Sequence, residues 1–122
     1  RNPELDKAVA IKMIRKAEDS EENRLRFKHE AKAVSELDHK NIARLFDFGI
    51  TEKQQFYMIM EFISGLTLEK ILAKEERLCL EKALPLFIQI ADGISHAHKM
   101  NILHRDLKPS NVILKDPSAE PW

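Results

Sequence analysis

The near-continuous apolar run Ala8-Val9-Ala10-Ile11-Lys12-Met13-Ile14 predicts a strand over 8–14, with Val9, Ile11 and Met13 on one face and Ala10, Lys12 and Ile14 on the other. Lys12 therefore shares a face with apolar neighbours. An ammonium there needs an anion, unless that face is open to water. After the polar stretch Asp19-Ser20-Glu21-Glu22 the period becomes helical. Asp19 or Ser20 is expected to cap a helix running to about residue 37, with acids in its first turn as the helix dipole prefers. Phe27, Ala31, Val34 and Leu37 form its apolar stripe. Glu30, three residues after Phe27 and four before Val34, falls on that stripe and is a second charge seeking a partner, with Lys12 the obvious cation. The alternative places Glu30 at the stripe's edge, reaching water.

Two further strands are predicted over 42–48 and 56–62, separated by a polar turn at 51–55, and with the first strand they make a small antiparallel sheet. Gly65 is expected to end the sheet region. A short helix over 68–74 then precedes a longer one over 81–99, in which Leu84, Phe87, Ile88, Ala91, Ile94 and His98 form one stripe that should pack on something large. Pro85, several residues into that helix, predicts a late start or a slight bend. His96 and His98 lie two apart, on different faces, so a structural role suits them better than a shared metal.

Composition narrows the picture. At 122 residues and 43% hydrophobic content the chain suits one compact domain. Twenty basic residues against 20 acidic ones give no electrostatic reason to expect nucleic acid or an anionic membrane as a partner. No apolar run approaches the ~20 residues of a membrane span. Cys79, the single cysteine, excludes an internal disulfide, fits a reducing cytoplasmic setting, and reads as a small buried hydrophobe. Arg1 is not a methionine, and the chain stops at Pro121-Trp122 after a loop-like stretch at 116–120, so both ends are expected to be cut.

The stretch that carries chemistry is Ile102-Leu103-His104-Arg105-Asp106-Leu107-Lys108-Pro109-Ser110-Asn111-Val112-Ile113-Leu114. It places an acid, a base two residues on and an amide five residues on in a loop between a helix and an apolar strand. That set suits phosphoryl transfer, which needs a hydroxyl oriented, a moving phosphate neutralised and a metal ion held.

The run resembles the catalytic loop of the protein kinases, and Lys108 resembles the serine/threonine branch rather than the tyrosine kinases. Val9-Ala10-Ile11-Lys12 is similar to the family's strand bearing the phosphate-binding lysine, Glu30 sits where the partner glutamate belongs, and Met58-Ile59-Met60-Glu61-Phe62 resembles the strand entering the inter-lobe hinge. The resemblance runs from about residue 7 to residue 114. It implies an α+β, protein-kinase-like fold: part of an N-lobe (antiparallel sheet plus one helix) over about 1–62, then hinge, first helices and catalytic loop of a helical C-lobe over about 63–122.

It further implies that Lys12 contacts the inner phosphates of ATP with Glu30 steadying its ammonium, that Ala10 and Ile113 cover the two faces of adenine, and that Met60 is the gatekeeper. Backbone groups of Glu61 and Ile63 would bond the adenine edge. Asp106 would orient the Ser/Thr hydroxyl of a protein substrate and accept its proton, Lys108 would steady the transferred phosphate, and Asn111 would ligate Mg2+. Arg105 would bind a phosphorylated activation segment, and His104, Val34 and Leu45 would belong to a buried stack.

The departures are specific. Glycine occurs only at 49, 65 and 93, so no Gly-rich loop is present. The family's Asp-Phe-Gly motif is also expected to be absent, along with the activation segment, and with Asn111 alone the octahedral oxygen set that magnesium favours is incomplete. The expectation is an internal piece of a serine/threonine kinase, inactive by itself and prone to associate through the bare stripe of its long helix. The competing reading is a non-catalytic kinase-like binding module, against which stands the retention of Lys12, Glu30, Asp106, Lys108 and Asn111. A small-molecule kinase of related fold fits the run from His104 to Asn111 less well. The short connections resemble bacterial-type kinases.

Overall fold

The computed structural model describes residues 8–14 and 20–116. The cap candidate Asp19 and the extreme ends of the chain lie outside them. Two compact units divide the chain, residues 1–62 and residues 63–122.

In the first unit, strands β1 (Val9–Ile14), β2 (Leu45–Ile50) and β3 (Phe56–Glu61) form an antiparallel sheet of order β1-β3-β2. Residues 51–55 close the β2-β3 hairpin through Thr51 N–H to Gln55 O at 2.9 Å and Gln54 N–H to Thr51 O at 2.9 Å. β2 begins three residues later than the apolar pattern predicts. The reason is local: Asn41 N–H donates to His39 Nδ1 at 3.1 Å and Ile42 N–H to His39 O at 3.0 Å, which turns the chain where the strand was expected to start. Leu45 pairs with Met60 and Asp47 with Ile59, so Phe46 is the extra residue of a β-bulge and points outward.

Helix α1 (Glu21–Ser35) starts at Ser20, whose hydroxyl accepts from Asn23 N–H at 3.2 Å. The expected stripe is the covered one: Ala31 and Leu37 are buried, and Phe27 and Val34 are half-buried. Phe27 stacks on Phe56 with ring centroids 4.4 Å apart and meets Phe48 edge-on at 6.2 Å. Such ring pairs contribute about 0.5–1.5 kcal/mol each beyond area burial, and they seat α1 on one face of the sheet.

In the second unit Gly65 opens a strand instead of ending the sheet region. β4 (Gly65–Thr67) pairs antiparallel with β5 (Ile113–Lys115). Gly65 has φ +150°, and a Cβ there would collide with the Leu114 carbonyl, so the strand start needs glycine. Helix α2 (Leu68–Glu75) is capped by the Thr67 hydroxyl, which accepts from Lys70 N–H at 3.2 Å.

Helix α3 (Leu80–Lys99) starts earlier than Pro85 suggested and runs through it. A proline so near the N-terminus removes one ladder bond, while Lys82 N–H at 3.2 Å and Ala83 N–H at 2.9 Å close the first turn on Cys79 O. Cys79 is exposed, contrary to the buried reading. Its N-cap position places it at the open start of the helix, not on a packed face. Leu66, Ile71, Leu78, Pro85, Leu86 and Leu114 line a groove where the start of α3 meets α2 and the β-pair, and Lys82 reaches Glu75 across it at 3.8 Å. The stripe expected to pack on something large is bare: Leu84 is 54%, Phe87 60% and Ile88 60% exposed. Among the described residues no helix is long and apolar enough to cross a membrane.

Candidate functional site

The residues singled out for chemistry fall into a cluster in each unit. In the first, Lys12 lies opposite Met58, and Ala10 opposite Met60, which is also paired with Leu45. The two-residue period puts Ala10, Lys12, Phe56, Met58 and Met60 on one sheet face, the face on which Phe27 of α1 stacks. Lys12 and Glu30 thus lie on the same side of the sheet.

They do not pair in this structure. Both side chains are exposed, and among the described residues no ion pair joins them; Glu30 has a contact of its own. The expectation that Glu30 sits on the buried face is corrected as well. Ala31 is the centre of the covered stripe, and the 100° step between successive helical residues rolls Glu30 to its edge. Val34 is half-buried and Leu45 buried, whereas His104, assigned to the same buried stack, is exposed in its loop, its Nδ1 accepting from Asp106 N–H at 3.2 Å.

Glu61 does more than a main-chain role requires. Its N–H donates to Arg44 O at 2.8 Å, and its Oε2 accepts from Arg44 N–H at 3.2 Å. The sequence reading assigned it backbone contacts alone. Nothing in the spacing of residues 44 and 61 signals a side chain that bonds a backbone 17 positions away.

The second cluster is the loop from α3 to β5. Asn101 and Arg105 take left-handed backbone conformations, φ 60° and 62°, that turn the chain out of α3 and into the loop. Pro109–Asn111 then form one 3-10 turn, with Asn111 N–H donating to Lys108 O at 2.9 Å. That turn brings three side chains together. Lys108 Nζ is 3.3 Å from Asp106 Oδ2, and Asn111 Nδ2 donates to Asp106 O at 2.9 Å and to Asp106 Oδ2 at 3.3 Å. The hydrogen bond from Lys108 holds the Asp106 carboxyl below its usual 3.8, with the Lys108 charge and the Asn111 amide acting in the same direction. Arg105 is exposed and engaged in a contact, and Ile113 lies on β5 opposite Thr67. Ile63 follows β3 in the first residues of the second unit.

The result is an ionised, solvent-accessible proton acceptor with an ammonium and an amide within reach. A divalent cation finds less. Asn111 turns its NH2 onto Asp106 and keeps Oδ1 as an oxygen donor, but among the described residues no group of three or more His, Cys, Asp or Glu converges. Magnesium favours near-octahedral oxygen coordination, so these residues alone do not make its site.

The expectation that no Asp-Phe-Gly sequence is present is corrected at residues 47–49, where Asp47-Phe48-Gly49 spells it. It lies upstream of the catalytic run, within β2, where Asp47 Oδ1 accepts from Phe48 N–H at 2.8 Å and Gly49 lies under the Tyr57 ring. Its parts are consumed by the sheet.

The model of the family described as "Protein kinase domain" matches residues 1–120. The serine/threonine-protein kinase PrkC of Bacillus subtilis is 41% identical over 112 residues, 90% of this chain and 17% of the relative. The serine/threonine-protein kinase pkn3 of Myxococcus xanthus is 36% identical over 118 residues, 96% of this chain and 22% of the relative. The chain thus spans about a fifth of the length of these relatives. Among solved structures, the PknI kinase domain of Mycobacterium tuberculosis superposes with a TM-score of 0.84 at 26% identity, covering 97% of this chain and 48% of that one. Rad53 1-466 in complex with AMP-PNP gives 0.76 at 30% identity, covering 89% of this chain and 28% of that one. Matched over nearly its whole length and α+β in the kinase manner, the chain belongs to the protein kinase domain family.

Proposed function

We propose that this chain supplies the phosphate-anchoring lysine and the catalytic loop of a serine/threonine protein kinase that moves the terminal phosphate of ATP to Ser/Thr hydroxyls of proteins. The observation that carries the proposal is the convergence of Lys108 and Asn111 on Asp106. In this reading the two units are partial N- and C-lobes. Lys12, aided by Glu30, holds the inner phosphates. Ala10, Ile113 and Met60 line the adenine slot, and main-chain groups of Glu61 and Ile63 bond its edge. Asp106 orients the hydroxyl and takes its proton, Lys108 neutralises the transferred phosphate, and Arg105 binds a phosphorylated residue.

Mg2+ would supply positive charge that neutralises the ATP phosphates. Asn111 would give it one oxygen, with further donors from outside the described residues. The working location is the cytoplasm, where ATP and reduced thiols coexist. The bare stripe of α3 makes the 122-residue chain self-associate when studied alone.

The test is phosphoryl transfer from radiolabelled ATP to a generic protein acceptor by the complete protein that carries this chain. Asp106→Asn should lower kcat by about 10²–10⁴-fold with nucleotide affinity retained, since an amide orients but cannot accept the proton. Nucleotide binding with no transfer in the wild type would instead favour a non-catalytic binding module. The 122-residue chain alone should transfer no phosphate.

A further inference from the structure

We infer that the Glu61 carboxylate is a positioning residue for nucleotide binding, holding the end of β3 to the start of β2 through the Arg44 amide. The inference rests on the proposed ATP-binding reading and adds to it a side-chain role where only main-chain contacts were assigned.

Arg44 and Glu61 are joined twice. Glu61 N–H donates to Arg44 O at 2.8 Å, and Arg44 N–H donates to Glu61 Oε2 at 3.2 Å. The first bond extends the ladder one step past the Leu45–Met60 pair. The second replaces a ladder bond with a side chain, because among the described residues the sheet stops here and Arg44 N–H has no strand partner beyond it. The bulge lies next to this clamp. Phe46 is looped out between Leu45 and Asp47, so ladder register cannot by itself secure the β2 end, and bulged strands twist more strongly. Asp47 covers Phe48 N–H with its own carboxylate at 2.8 Å. Two acids thus flank one bulge, and each caps an amide. Only Glu61 does so across strands, and only Glu61 is also a residue whose backbone faces the proposed nucleotide.

A charge-assisted bond to a backbone amide is stronger than a neutral one and fixes direction as well as distance. Closing a two-bond ring between residues 44 and 61 therefore limits the rotation of the Glu61 peptide, whose groups must be aimed at the adenine edge before it arrives. Loss of that preorganisation raises the cost of binding without touching the groups that move the phosphate.

The experiment uses the complete protein, a fluorescent ATP analogue, and amide hydrogen exchange read at Arg44. Glu61→Ala removes the acceptor. Glu61→Asp keeps the charge but withdraws it by one methylene. Glu61→Gln keeps a neutral acceptor at full reach. The expected result is faster exchange at Arg44 and about 3–10-fold weaker analogue binding, with KM for ATP raised and kcat held within about twofold, for the alanine and aspartate variants. Glutamine, a neutral acceptor at full reach, should fall between wild type and alanine in both readouts. Unchanged Arg44 exchange in the aspartate variant, or faster exchange with unchanged analogue affinity, overturns the inference. Equal falls in kcat and affinity across all three variants also overturn it, since they would mark general destabilisation. Failure of the wild type to bind the analogue at all would instead refute the ATP-binding reading while leaving the Arg44 exchange result to stand alone.

Discussion

Asp106 combines exposure with a carboxyl held below its usual 3.8, chiefly by the hydrogen bond from Lys108. A depressed carboxyl is ionised throughout the neutral range and is protonated only as pH falls through its lowered folded value. Whatever it contributes to stability is present above its unfolded value and lost on that descent. Being exposed, it contributes through orientation, not through buried charge. Lys108→Ala should move the Asp106 carboxyl up toward its ordinary value, as read by carbon-13 NMR titration of the side-chain carboxyl. Any acid-side loss of phosphoryl transfer in the wild type between pH 7 and 5 should then belong to another group. Gly65 is decided by its backbone. With φ +150° and the Leu114 carbonyl where a Cβ would stand, Gly65→Ala should destabilise the β4-β5 pair by about 1–3 kcal/mol, measured as a shifted urea midpoint at constant slope.

The caps set the elements' starts. Ser20 and Thr67 each offer a hydroxyl to an amide three residues on, at 3.2 Å in both cases. Ser20→Ala should cost about 0.5–2 kcal/mol and appear as faster amide exchange in the first turn of α1, with little change at the hairpin of residues 51–55. The two helix starts differ in legibility. Ser20 follows a polar stretch and precedes two acids, a sequence-level signature. Cys79 at the head of α3 makes no side-chain cap bond, so that boundary came out one residue early and across Pro85. The late start of β2 is a similar case. Ile42 is apolar enough for a strand, but the His39 ring and carbonyl claim the amides of Asn41 and Ile42 first.

For the whole molecule the uneven distribution of cover matters most. The first unit seats α1 on its sheet through Phe27, Phe56 and Ala31, while the second leaves Leu84, Phe87 and Ile88 more than half exposed along α3. Apolar faces of this extent on one helix promote association. Phe87→Glu in the 122-residue chain should shift sedimentation velocity profiles toward monomer, whereas Glu69→Gln on α2 should leave them as they are. A wild-type chain that sediments as a monomer at tens of micromolar, an order of magnitude typical of association-prone species, would count against the association.

The sequence by itself determined the family, the order of elements apart from β4 at Gly65, and the identity of the loop that gathers Asp106, Lys108 and Asn111. These depend on short-range spacing: a period of two or 3.6, a cap three residues from its amide, a 3-10 turn that folds residue 111 back onto residue 106. Tertiary structure decided what depends on distant chain. Whether Glu30 meets Lys12 turns on how α1 rolls over the sheet, and Ala31 takes the covered position. Whether Cys79 and His104 are buried turns on what packs over their loops, which neither residue encodes. The Arg44–Glu61 clamp exists because a hairpin brings residues 17 apart to the same sheet end. Periodicity reports which face of an element is apolar; only packing reports what that face meets.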